Sequence, residues 1–206
     1  MDDLGKALDD IAALRKQMAR ASEFRGYGPT TLAATGLLAL IAAVVQTHIL
    51  PQPMKDMTLY LALWIGTAFL ASILIAIEVV TRSKRAHSGL ADAMILQALE
   101  QLLPSLGAGL LLTCVLVRFA PQNLPLLPGL WEIFISLGVF ASMRSLPRPL
   151  LLVAVWYLGC GLASTAYATG ENVLSPLAMG VPFGFGQLLA AVILFYLNKQ
   201  IYHYDK

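Results

Sequence analysis

At 58% hydrophobic and 13% charged, this chain of 206 residues departs twice from soluble domains, which run at about 45–50% apolar and about 25% charged. That composition excludes a freely soluble globular protein and leaves no room for a separate water-soluble domain beside the apolar runs. The net charge of +2 says little by itself; no nucleic-acid partner is expected, and where the charges fall matters more than their sum.

The chain opens on a charged segment. Residues 2–22 read as a cytoplasmic amphipathic helix: Leu4, Ile11 and Met18 share one heptad position, Ala7, Leu14 and Ala21 the other seam position, and Leu8 widens the stripe. Asp2, Asp3, Asp9 and Asp10 come first and Arg15, Lys16 and Arg20 last, the order a helix dipole favours. The cations then lie nearest the first apolar run, where anionic lipid attracts them. The face made by Leu4, Ala7, Leu8, Ile11, Leu14 and Met18 is a candidate docking surface. It suits the bilayer surface, a protein partner or second copy, or the protein's own cytoplasmic side.

Phe24, Arg25, Gly26, Tyr27, Gly28 and Pro29 follow. Gly26 and Gly28 suit the end of one helix and Pro29 the first turn of the next, with Thr30 or Thr31 as a cap. Phe24 and Tyr27 suit the headgroup region, and Arg25 reaches lipid phosphate. Residues 1–29 therefore read as a helix joined by an interfacial hinge to a membrane domain.

That domain, over 30–199, holds six apolar runs at approximately 31–50, 57–80, 102–120, 126–143, 149–168 and 176–198. A hydrocarbon core of about 30 Å takes roughly 20 apolar residues per helix. The expected fold is all-α, a polytopic integral membrane protein with six transmembrane helices. The first run is too long for a signal h-region and follows a long charged segment, so no cleavable leader is expected.

The basic residues test the count of spans. Lys6, Arg15, Lys16, Arg20 and Arg25 precede the first run; Arg82, Lys84 and Arg85 follow the second; Arg144 and Arg148 follow the fourth; Lys199 and Lys206 follow the sixth. Only Lys55 and Arg118 fall in the alternate connections. Such asymmetry marks the cytoplasmic side and requires an even number of spans, so both termini, including the tail 200–206, are expected in the cytoplasm. The other connections, 50–53, 120–125 and 169–172, are short and rich in turn formers. They imply three antiparallel hairpins. Leu63-Trp64 in the second run echoes Leu130-Trp131 in the fourth, a hint of a hairpin repeat. A second amphipathic stretch, 84–101, runs toward the third span, with Pro104 placed for a kink.

Ionisable groups at membrane depth are functional candidates by default. Glu78 stands four residues before Arg82, where an i,i+4 pair at the interface accounts for it. Arg118 and Glu132 lie on the two arms of one predicted hairpin, so a salt bridge closing it is the expected arrangement, with a solute or proton site as the alternative. In the sixth run, Gly180, Pro182, Gly184, Gly186 and Gln187 form either a small-residue packing ridge against the fifth run or a locally weakened permeation element. Cys114 and Cys160 lie within apolar runs and read as small hydrophobes. His48, His87 and His203 are scattered, without ligand spacing for a metal. No metal, cofactor or catalytic motif is expected.

The chain is similar in layout to small polytopic proteins of bacterial inner membranes. The expected function is that of a non-catalytic membrane component, a partner, anchor or regulator docking through its N-terminal helix. The alternative is a small-solute transporter or channel using Glu132, Gln187 and the Gly/Pro-rich sixth span. A membrane enzyme has no motif in its favour.

Overall fold

The computed structural model describes residues 28–86, 89–168 and 174–204, with side chains described outside 82–99 and 200–204. The N-terminal helix with its candidate docking face, the hinge residues 24–27 and the turn at 169–172 lie outside the described residues. All described elements are helical. In order they are α1 (Pro29–Ile49), α2 (Met57–Ala86), α3 (Gly89–Phe119), a 3-10 helix (Pro121–Leu126) leading into α4 (Leu127–Ala141), two 3-10 turns (Ser142–Arg144 and Arg148–Leu150), α5 (Leu151–Ala166) and α6 (Pro176–Tyr204). Among the described residues, six segments are long and apolar enough to cross a membrane: Pro29–Ile49, Met57–Thr81, Glu100–Phe119, Pro121–Arg144, Arg148–Ala166 and Pro176–Lys199.

Local chemistry explains the boundaries. Gly28 is the N-cap of α1 at φ −77° and ψ 130°, and Pro29 is the first helical residue. That is ordinary extended backbone, so Gly28 is not needed here for a left-handed turn. Neither threonine caps the helix; Thr31 instead donates to Glu78 Oε2 of α2 at 2.7 Å. The predicted stretch 84–101 is divided, its first residues closing α2 and the remainder opening α3, which runs unbroken through Pro104. The predicted turn at 120–125 is itself helical: Pro121 stands in the first turn of the 3-10 helix, where its fixed φ suits helix and its missing N–H costs nothing.

Two helix pairs are closest, α1 with α6 and α4 with α5. Contacts of α3 with α4, α1 with α2 and α5 with α6 are lighter, and among the described residues α2 barely touches α3. The sixth run does pack on the fifth, through Val153 and Tyr157 against Ala190, Ala191 and Leu194, but the expected role of the Gly180–Gly184 ridge in that contact is corrected. Gly180 faces Ala43, and Gly184 faces Leu40, both on α1. A Cβ on Gly36 of α1 would stand 2.8 Å from the Gly184 carbonyl oxygen, and one on Gly161 of α5 would stand 2.8 Å from the Gly129 carbonyl oxygen of α4. Helices in lipid gain nothing from hiding apolar surface, so close backbone approach at small residues decides which ones associate. The bundle is correspondingly apolar on its outside, where Leu37, Ile41, Phe69, Leu110, Leu111 and Phe195 are exposed.

Candidate functional site

The Gly129–Gly161 crossing also places the chemistry. Three residues after each glycine, and so on the same side of each helix, come Glu132 of α4 and Ser164 of α5. The Ser164 hydroxyl donates to Glu132 Oε2 at a long 3.5 Å. Glu132 is 0% exposed, and its other oxygen, Oε1, has no hydrogen-bond partner. A carboxyl so deep among apolar side chains is costly. Its presence calls for a reason other than packing.

Two buried tyrosines lie within electrostatic reach of it. Tyr60 comes from the first turn of α2 and Tyr157 from α5, one turn before Gly161. They are 0% and 1% exposed. Tyr60 Oη has no hydrogen-bond partner; Tyr157 Oη makes no close hydrogen bond, but the Gln187 side chain lies near enough to interact with it. Cys160 also lies within electrostatic reach of the carboxyl. Buried polar atoms are nearly always paired, and Glu132 Oε1, Tyr60 Oη and Tyr157 Oη are three of the five buried side-chain atoms without a partner among the described residues, Gln101 Oε1 and Ser145 Oγ being the others. The oxygens of one carboxyl and two phenols suit a proton, water or a small hard cation, not a soft metal.

A latch holds α2 in position above this site. Gln46 of α1, 0% exposed, donates through Nε2 to the Leu174 carbonyl oxygen at 2.7 Å. Its Oε1 accepts from the Trp64 indole N–H at 2.8 Å. Trp64 stands one turn beyond Tyr60 on α2, so fixing the indole fixes the tyrosine. On the far side, the ring of Tyr157 lies 5.6 Å from that of Phe183 on α6. A Cβ on Gly186 would stand 2.7 Å from Tyr157 Oη, so the glycine leaves the room the phenol occupies.

The residues singled out from sequence divide between this site and elsewhere. Glu132 is at its centre. Arg118 is not: it is exposed, with its guanidinium 5.6 Å from the Phe119 ring centroid, and it makes no ion pair with Glu132. The arm that carries Glu132 turns inward toward α5, while Arg118 sits in the last turn of α3, facing outward. Gly186 borders the site; Gly180 and Gly184 serve the α1–α6 contact. Pro182 does not break α6, which is helical from Pro176 to Tyr204, and its carbonyl oxygen accepts from the Trp156 indole N–H at 3.0 Å. Gln187 lies beside Tyr157 and also lines a crevice that shares Trp64 and Phe183 with the surroundings of the site.

Gln46, Tyr60 and Tyr157 were not singled out from sequence, and Trp64 is marked there only by the Leu63-Trp64 echo. Tyr60, near a span end, reads as an interfacial belt residue; Tyr157 is one more aromatic within an apolar run, and nothing in the spacing of either says that it points inward. Gln46 carried the one usable signal, as an amide within a continuous apolar run. Comparison with family models, with curated proteins and with solved structures returns no match.

Proposed function

We propose that this is a small carrier of the bacterial inner (plasma) membrane type, both termini cytoplasmic, that moves a proton or a monovalent cation by way of Glu132. The observation that carries the reading is the lack of a close hydrogen-bond partner at Glu132 Oε1, Tyr60 Oη and Tyr157 Oη, all at full burial. An intramembrane carboxyl facing the interior of a bundle is the usual mark of an ion or proton pathway. The asymmetry of the basic residues supports the sidedness, and the short connections support three antiparallel hairpins with their turns outside. In this reading the guest completes the hydrogen bonds that the two phenols and the carboxyl leave open, and small displacements of α2 against α4 and α5 admit and release it.

The test is flux in proteoliposomes. A potassium diffusion potential is imposed with valinomycin and interior pH is followed with a trapped dye. Uptake in sodium-free buffer identifies the proton; sodium influx, followed with a tracer, identifies the cation. Glu132→Gln is expected to abolish whichever flux is found while leaving the amount of folded protein unchanged. Unchanged flux in that variant ends the proposal.

A second reading rests on the heptad seam Leu4, Ala7, Leu8, Ile11, Leu14 and Met18. It makes the chain a membrane partner, anchor or regulator that docks through residues 2–22 on another protein or a second copy. Removing residues 1–22 is then expected to abolish co-purification of the partner while Glu132→Gln leaves it intact.

A further inference from the structure

Apart from Glu132, the bundle has a second feature. Where, among the described residues, α2 and α3 barely touch, a crevice of about 230 Å³ enters it, with Ile65, Ala68, Leu106 and Leu110 at the mouth. These four are exposed. The surface around them continues into the exposed side chains of Phe69, Leu103 and Leu111. The mouth therefore opens sideways, at the depth of the apolar spans, where the surrounding solvent is hydrocarbon.

Most of the wall favours hydrocarbon as well, Ser105 and Gln187 being its polar exceptions. The hydroxyls of Thr35, Thr67 and Thr113 on the wall each donate to a carbonyl of their own helix, those of Leu32, Leu63 and Gly109. The indole N–H groups of Trp64 and Trp131, also on the wall, are committed to Gln46 and Thr113. A polar solute entering here gives up its hydration and finds these five donors taken, a loss that is costly in apolar surroundings. A hydrocarbon chain gives up nothing.

Size narrows the occupant. An apolar cavity of about 150 Å³ accepts a benzene-sized guest, so this one accommodates a length of single flexible chain. We propose that the crevice between α2 and α3 is a seat for one acyl chain of a bilayer phospholipid, lying against Trp64 and Trp131.

The tryptophans report it. The full chain, with Trp156→Phe and either Trp64→Phe or Trp131→Phe so that one wall tryptophan remains, is reconstituted in phosphatidylcholine brominated in mid-chain. Trp64 is 3% exposed, so lipid running along the outside of the bundle does not reach it, and only a chain inside the crevice quenches it. Loss of most of the Trp64 emission is expected, with Trp131 quenched in parallel. Ala68→Phe, which fills the crevice, is expected to restore Trp64 emission while the melting of the bundle is unchanged. Gln187→Leu removes the amide on the wall and is expected to leave quenching intact or deepen it. Wild-type Trp64 emission untouched by bromolipid, or quenching that persists at full strength with Ala68→Phe in place, overturns the proposal. So does loss of quenching in Gln187→Leu, which points to a polar guest instead.

Discussion

Trp64 and Trp131 make the same bond at the same chain separation. Each indole N–H donates to a side chain eighteen residues earlier, Trp64 to Gln46 Oε1 at 2.8 Å and Trp131 to Thr113 Oγ1 at 2.9 Å. In both cases the acceptor lies on one helix and the donor on the next, α1 to α2 and α3 to α4. The third such pair breaks the pattern: Trp156 of α5 donates forward, to the Pro182 carbonyl of α6. The echo of Leu63-Trp64 in Leu130-Trp131 thus corresponds to a shared cross-strut in two helix pairs and does not extend to the third.

The two struts are not expected to be equal. Trp64→Phe strands Gln46 Oε1, which is wholly buried, and an unpaired buried acceptor costs about 1–3 kcal/mol. Trp131→Phe leaves Thr113 still donating to the Gly109 carbonyl and is expected to cost about 0.6 kcal/mol, the usual worth of an interhelical hydrogen bond in lipid. Equilibrium unfolding in mixed detergent micelles, read by circular dichroism, checks the order.

The glycines divide by what surrounds them. Alanine at Gly36 or Gly161 puts a Cβ 2.8 Å from a carbonyl oxygen of the facing backbone, which cannot step aside as a side chain does. A cost of about 1–3 kcal/mol is expected for each. Gly66, Gly107 and Gly159 have nothing within 4 Å of an added Cβ. There alanine is expected to gain up to about 1 kcal/mol, the helix propensity difference. The midpoint of thermal unfolding, followed by size-exclusion after heating, separates the two groups.

Glu132 is expected to show a trade between stability and activity. Glu132→Leu removes a buried oxygen without a partner and puts an apolar side chain of similar size among apolar neighbours. A gain of about 1–3 kcal/mol follows from relieving the unmet hydrogen bond, together with complete loss of ion flux. A variant that is both less stable and inactive would show that the carboxyl is instead a structural strut. The same unfolding assay and the proteoliposome assay decide it.

The helices were readable because hydropathy reports directly whether a stretch of chain can leave water. Their pairing was not, because lipid and protein interior are equally apolar and helix faces carry no contrast in hydropathy. The ridge Gly180–Gly184 was visible as small residues, but its counterpart Gly36–Ala39–Ala43 was masked by the many alanines and leucines around it. Glu132 stood out because an acid in an apolar run is unusual. Its expected partner, Arg118, was chosen on similar depth alone, and depth does not say which way a side chain turns around the helix. Tyr60 and Tyr157 join the site from two other helices, and no spacing along the chain links them to it.

The closest partner of the first span is the last. Gln46 on α1 binds the Leu174 carbonyl 128 residues later in the chain, and Gly36 waits for Gly184. A ribosome adding roughly 5–20 residues per second therefore leaves α1 in the membrane for on the order of ten seconds before its partner is made. During that time the small-residue face of α1 is open to any other helix nearby. A chain released before α6 would present the small-residue face of α1 uncovered, with α2 its principal remaining partner.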